Sequence, residues 1–287
     1  MTEVRFGFGE NWRRFLEVLD DERIAEVERS LSEWLGEGSL QGKTFLDAGC
    51  GSGLFSLAAL RLGARQVHSF DYDQDSVGCA LELRRRYGGD DGTWTVERGD
   101  VLDEAYIARL GTYDVVYSWG VLHHTGDMWR ALDIIHRTVA PGGRLFIAIY
   151  NDQRMVSRYW SLVKRTFNRL PAALRAPYAL AVMAPRELVS LAVQTLRGRP
   201  QDYLHSWTRY KAARGMSRWH DLLDWVGGYP FEVATPDEIF AFYRERGYEL
   251  ERLRTCGGGL GCNEFVFRQA PPELASSWHT SDRHGTD

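Results

Sequence analysis

A chain of 287 residues, 44% apolar and 26% charged, is expected to fold as one large soluble domain or as one domain with an insertion. No unbroken apolar run approaches the ~18 residues of a membrane span, no apolar signal core follows Met1–Arg5, and Cys50, Cys79, Cys256 and Cys262 lack Cys-x-x-Cys spacing, which together point to a cytoplasmic protein with free thiols. The net charge of −4 gives no ground for expecting nucleic acid as a partner.

Residues 1–40 read as an N-terminal helical extension. Leu16, Leu19, Ile24, Val27, Leu31 and Leu35 recur at roughly helical spacing, which suits packing against a sheet. Lys43–Asp47 reads as the first strand. Glycines then occupy alternate positions, 49, 51 and 53, and a small-residue apolar helix pattern runs from Leu54 to Leu62, with Gly63 suited to its C-terminus. Strand, glycine turn and helix open an α/β unit. Glycine is needed where φ is positive or a ligand lies on the main chain, and the donors of the helix N-terminus face the crevice. The last glycine is spaced differently from that of the dinucleotide-binding G-x-G-x-x-G loop.

The run Asp47-Ala48-Gly49-Cys50-Gly51-Ser52-Gly53 resembles motif I of the class I S-adenosylmethionine (SAM) methyltransferases, an acidic residue followed by x-G-x-G-x-G. The resemblance implies a Rossmann-like α/β fold: a seven-stranded mixed sheet with helices on both faces and a closing antiparallel hairpin. It implies SAM as cofactor, S-adenosylhomocysteine as product, and Asp47, Gly49, Cys50, Gly51 and Gly53 in the cofactor site.

Gln66–Asp71 reads as the second strand. Asp71 ends it about twenty residues after the glycine turn, where a carboxylate accepts hydrogen bonds from the ribose hydroxyls of a bound nucleoside. Tyr72 beside it joins the expected cofactor contacts, while Asp73 and Asp75 suit the start of a helix over 75–86. Trp94–Glu97 is the third strand. In the family an acid after this strand often meets the adenine amino group, a role the resemblance gives to Asp100, with Val101 beside the ring. The alternative is that Asp100 caps a helix over 103–109.

Tyr113–Ser118 is the fourth strand, continued by Trp119-Gly120-Val121-Leu122-His123-His124-Thr125. This resembles the family's V-L-H-H or V-L-E-H motif, which lies between the methionine part of the cofactor and the substrate. Trp119 is accordingly expected at the cofactor and His123 at the substrate. Relatives that methylate quinone-precursor catechols can hold a divalent metal through acids here. This chain has His123 where that pattern has Glu, so no metal is expected. A neutral imidazole suits proton abstraction near pH 7, which makes His124 a candidate base; simple packing of the two histidines is the alternative. A helix over 127–139 and a Pro-Gly-Gly turn lead to the fifth strand, Leu145–Tyr150. Tyr150 and Asn151 end it at the edge where open α/β sheets bind ligands, as expected substrate contacts.

The division expected is a SAM-binding core at 41–150, a mostly helical substrate lid at 151–234, a closing segment at 235–270 and a loose tail at 271–287. The closing segment opens with Thr235 and Pro236 as a helix start and ends in a hairpin of Tyr248–Thr255 with Asn263–Arg268. Residues 151–230 carry thirteen Lys/Arg against five acids, a local +8 that leaves −12 for the remainder. Such segregation suits an anionic ligand or partner, or a solvated helical face. Near the end of the insertion Arg218, His220, Asp221 and Tyr229 are residue types that orient and deprotonate a polar substrate. His220 is the leading base, Tyr229 a further catalytic candidate and Arg218 a substrate clamp; the alternative is that this stretch only builds the lid's own core. The segment 174–196, leucine-rich with flanking arginines, is read as core packing in preference to peripheral membrane contact.

The reaction implied is an in-line methyl transfer from a sulfonium, in which the protein aligns the reactants and excludes water. The leading expectation is O-methylation of a polar small molecule, an anionic one included. The alternatives are methylation of a peptide or other macromolecule, at a carboxylate for example, and a SAM-binding protein without transfer activity. The oligomeric state is not legible.

Overall fold

The computed structural model describes residues 19–88, 92–208 and 218–270. Seven strands form one sheet: β1 (Thr44–Ala48), β2 (Gln66–Asp71), β3 (Trp94–Arg98), β4 (Tyr113–Trp119), β5 (Val139–Tyr150), β6 (Tyr248–Arg254) and β7 (Cys262–Gln269), in the order β3-β2-β1-β4-β5-β7-β6. The first five are parallel. The hairpin strand β7 runs antiparallel between β5 and β6. This is the mixed Rossmann-like sheet expected. Strand order reverses between β1 and β4, and in open α/β sheets the crevice beyond that point receives ligands.

Each face of the sheet has its own apolar layer. On one face α1 (Asp21–Leu35) and α2 (Leu54–Arg61) pack with α3 (Gln74–Leu83). Helix α1 starts at Asp20, whose carboxylate accepts from the Arg23 backbone N–H at 2.9 Å, and buries Ile24, Leu31, Trp34 and Leu35; the Trp34 and Phe146 rings lie 5.0 Å apart. Residues 1–18 of the expected extension and the tail at 271–287 lie outside the described residues. On the other face sit α4 (Glu104–Leu110), α5 (Met128–Ile135) and α10 (Pro236–Arg244). Thr235 and Glu238 form a capping box at the start of α10, with Pro236 in its first turn. Helix α3 is shorter than expected: it ends at Leu83 and gives way to a π-type turn over Arg84–Gly88.

Between β5 and α10 lie α6 (Met155–Arg169), α7 (Ala172–Leu196), α8 (Pro200–Thr208) and α9 (Arg218–Gly227). Trp160, Val163 and Phe167 of α6, Ala179 and Met183 of α7, and Leu222 and Val226 of α9 form a third, smaller core with Phe231. Helix α7 qualifies two expectations. It is long and apolar enough by length and composition to cross a membrane, with a mean hydropathy of 1.2 over eighteen residues. An unbroken-run criterion misses it because Arg175, Arg186 and Glu187 interrupt the apolar residues. It packs on the third core by one narrow side only: Ala179 and Met183 are buried, with Tyr178 and Val182 beside them.

Candidate active site

The glycine turn is shaped by close approach. Gly49 and Cys50 both donate their backbone N–H to the Phe70 carbonyl, at 2.8 and 3.1 Å. At Gly49 φ is +80°, and a Cβ there would lie 2.4 Å from a Val121 methyl. Gly51 donates its N–H to Asp71 Oδ2 at 2.9 Å. Gly53 serves packing: a Cβ on it would lie 2.9 Å from Ala80 Cβ, and unlike Gly49 and Gly51 it does not line the cavity. Its lack of a side chain lets α2 start hard against α3, beside the place at the cofactor that the motif implies.

Two carboxylates face this turn. Asp47 ends a buried hydrogen-bond chain: Trp94 Nε1 donates to Ser69 Oγ (2.8 Å), Ser69 and Ser56 hydroxyls lie 2.7 Å apart, and Ser56 donates to Asp47 Oδ2 (2.5 Å). Burial pushes the Asp47 carboxyl up to about 7, against the pull of the Ser56 hydroxyl. Asp71 is pushed up to about 6 by burial, opposed by the N–H groups of Asp73 and Gly51. Burial also pushes the Cys50 thiol well up, so it stays a neutral part of the wall.

Asp73 caps α3. Asp103, not Asp100, caps α4 by accepting from the Tyr106 N–H. Asp100 instead accepts from the Leu102 N–H at 2.9 Å and lines the cavity with Val101 and Tyr72. Arg98, absent from the sequence expectations, lies there too: its Nε donates to the Tyr72 carbonyl and its guanidinium sits 5.6 Å from that ring.

At the end of β4 Trp119 lines the cavity and donates Nε1–H to Glu264 at 2.7 Å. His124 also lines it. Its Nδ1 lies 2.5 Å from the Pro230 carbonyl. A carbonyl only accepts, so Nδ1 carries the proton and Nε2 is the lone-pair nitrogen of the neutral ring. Burial brings its pKa down to about 4. His123 is wholly buried, 4.0 Å from the Tyr150 ring, and is not a cavity residue. It packs the loop from behind, against Tyr150, at the position where a substrate contact is expected from the sequence. Asn151, the other substrate contact expected at this edge, accepts from Asn263 Nδ2 at 3.0 Å and fastens the end of β5 to β7.

Tyr150 at the end of β5, Trp225 of α9 and Tyr229 also line the cavity. Trp225 stands edge-on to Tyr150, with centroids 6.0 Å apart. It is held by Lys164, a buried lysine whose ammonium donates to the Trp225 carbonyl and lies 4.6 Å from its ring. The Arg165 guanidinium lies 5.8 Å from the Tyr229 ring. Arg218 and His220 belong to α9 by backbone, but their side chains lie outside the described residues. Leu260, Gly261 and Cys262 complete the wall. Their place follows from β7 lying beside β5, whereas Trp225 and Arg98 carry no motif that would single them out. Among the described residues no group of three or more His, Cys, Asp or Glu is placed to hold a metal ion.

The cavity these residues enclose is ≈ 950 Å³, at the upper end of the range for cofactor sites. It suits SAM on two grounds. The backbone of Gly49-Cys50-Gly51 lines it with no side chain at the two glycines, and the buried Tyr117 hydroxyl in its wall has no hydrogen-bond partner among the described residues. Glycine turn, strand-end acids and sheet topology define a class I SAM-dependent methyltransferase. The chain belongs to the methyltransferase-domain family, whose profile matches residues 19–220. It is 33% identical over 121 residues to the ubiquinone biosynthesis O-methyltransferase of Bordetella avium, covering 42% of this chain and 48% of that protein. It is 42% identical over 135 residues to the ribosomal protein L11 methyltransferase of Photobacterium profundum, covering 45% and 42%. The chain thus spans about half or less of these relatives. In fold it is similar to the magnesium protoporphyrin IX methyltransferase of Synechocystis PCC 6803 with bound SAH, at a TM-score of 0.53 and 15% identity, covering 91% and 94% of the two chains.

Proposed function

We propose that the chain is an O-methyltransferase of a polar small molecule, with His124 as the general base. The observation that carries this reading is the His124–Pro230 hydrogen bond, which fixes the tautomer of a buried imidazole in the cavity wall. Bound SAM would supply an electrophilic methyl on a good leaving group. Asp71 and Asp100, with Tyr72, would hold its nucleoside end, and Gly49–Gly51 with Asp47 its amino-acid end. His124 would take the hydroxyl proton at Nε2, and α9 with Tyr150 would exclude water. The rings of Tyr150, Trp225 and Tyr229 suit a flat acceptor, and the ubiquinone-biosynthesis relative is named for O-methylation. The test is release of S-adenosylhomocysteine with a panel of phenols, catechols and hydroxy acids. Turnover of none of them, alongside turnover of carboxylates or amines, would sink the O-methylation reading.

A second reading, methylation of a peptide or protein, is favoured by the excess of Lys/Arg over 151–230 and by relatives named for ribosomal protein L11. Turnover of an acidic peptide that falls steeply with salt would support it. We also place the protein in the cytoplasm.

A further inference from the structure

Helices α6 and α7 carry an apolar surface that neither the active site nor the third core uses. On α7 Leu180, Leu188, Val189 and Leu196 are 54%, 65%, 63% and 89% exposed, and on α6 Tyr159 and Leu162 are 53% and 64% exposed. Only 11% of the most apolar stretch of α7 is buried. Single exposed leucines are ordinary, but this many on the broad outer side of one 25-residue helix are not. Arg175 and Arg186 on this helix and Arg197 at its C-cap follow at intervals of eleven residues; Arg175 donates Nε–H to the Leu170 carbonyl with its guanidinium 5.9 Å from the Phe167 ring, and Arg186 and Arg197 are exposed. Eleven residues make about three turns, so the three arginines form one row. That row runs beside Ala179 and Met183, which face the protein, and so borders the apolar side without interrupting it.

We propose that this face docks on the surface of an anionic lipid bilayer, with α7 lying in the plane of the interface. An apolar strip edged by arginines is the pattern that puts leucines at the acyl boundary and guanidinium groups among phosphates. The charge of the surroundings agrees: residues 151–208 hold nine Lys/Arg against three acids. A second copy of the chain is the poorer occupant, because self-association would set like charges against each other. A transmembrane course is also excluded by topology. The chain enters α6 from β5 and returns through α9 to strands of the same sheet, so an even number of crossings is required. Among the described residues α7 is the single helix long and apolar enough to cross. Through Trp160, whose ring is 5.4 Å from that of Trp225, α6 joins this face to the cavity wall. An acceptor dissolved in the bilayer would therefore meet the site from the docked side.

The test is co-sedimentation of the full chain with vesicles of phosphatidylcholine alone and of phosphatidylcholine with phosphatidylglycerol. The expected result is pelleting with the mixed vesicles, weakened by salt. The double variant Leu188→Asp/Leu196→Asp and the double variant Arg186→Glu/Arg197→Glu should each lower the partition coefficient by about tenfold or more. Both should keep wild-type circular dichroism and SAM affinity, since the altered side chains are exposed. Wild-type protein left in the supernatant with mixed vesicles overturns the proposal. So do variants that pellet as the wild type does, or a dimer by light scattering that Leu188→Asp splits while vesicles bind neither form.

Discussion

The Ser56 hydroxyl lies 2.5 Å from the Asp47 carboxylate, and both side chains are buried. Every donor in the chain behind them has one direction available. The indole of Trp94 can only donate, so Ser69 accepts from it and donates to Ser56, which donates to Asp47. The acid of the glycine motif is thus oriented from β3, two strands away. Ser56→Ala removes the donor and leaves a buried carboxylate poorly satisfied, at a cost of about 1–3 kcal/mol. The expected outcome is a lower Tm together with weaker SAM binding at neutral pH, the latter recovering above pH 8 as Asp47 ionises. Unchanged SAM affinity across that range would disconnect the chain from the cofactor.

The raised carboxyls predict a pH dependence with a definite sign. Asp47, held at about 7, and Asp71, held at about 6, keep protons in the folded protein that the unfolded chain releases near 4. Between these values the folded state binds more protons, so stability from these groups is fullest below about pH 4 and is lost as pH rises through 6 and then 7. Binding of cationic SAM favours both ionised forms. Calorimetry at pH 6 in buffers of different ionisation enthalpy should therefore show proton release on SAM binding, and almost none at pH 8.5. Asp71→Asn should reduce the release at pH 6.

Gly49 predicts a steric result. With φ at +80° and Val121 2.4 Å from any added Cβ, Gly49→Ala meets both backbone strain and a collision. A loss of about 1–3 kcal/mol in stability is expected, with a marked fall in SAM affinity. Gly49→Ala/Val121→Ala removes the two methyls at 2.4 and 2.5 Å but keeps the Cβ at 2.9 Å, so it should restore part of both. No restoration would mean that backbone strain and this remaining contact account for the loss.

What was legible in the sequence was what depends on local chemistry. The glycine turn, Asp71 at a strand end and the Thr235–Pro236 helix start each state their role within a few residues. Gly53 packs on Ala80, a helix away, and spacing alone does not separate ligand approach from helix packing. Asn151 follows Tyr150 at the end of β5, where adjacent residues point to opposite sides, and His123 lies in the 3-10 turn Leu122–His124, where neighbouring side chains diverge; sequence does not say which side faces the crevice. The Ser56–Ser69–Trp94 chain joins three elements, and no short motif encodes it. Helix α7 was misjudged because apolar content was weighed by unbroken runs, whereas exposure is set by which neighbours exist to cover it.

His124 carries the sharpest functional prediction. Its Nδ1 proton is held on the Pro230 carbonyl and burial keeps its pKa near 4, so the ring is neutral across the physiological range. If His124 takes the proton of a hydroxyl acceptor, kcat should be flat with respect to this group from about pH 5 upward, and any rise above that belongs to the acceptor. His124→Asn can keep the donor toward Pro230 while removing the base. It should lower kcat by about 10²–10⁴-fold and leave SAM affinity within about twofold of wild type, measured by stopped-time product assay and calorimetry. An acceptor of lower pKa, already ionised at the assay pH, should escape most of that loss, since no proton then has to be removed. Equal loss for acidic and weakly acidic acceptors would instead make His124 a residue that positions the lid through Pro230.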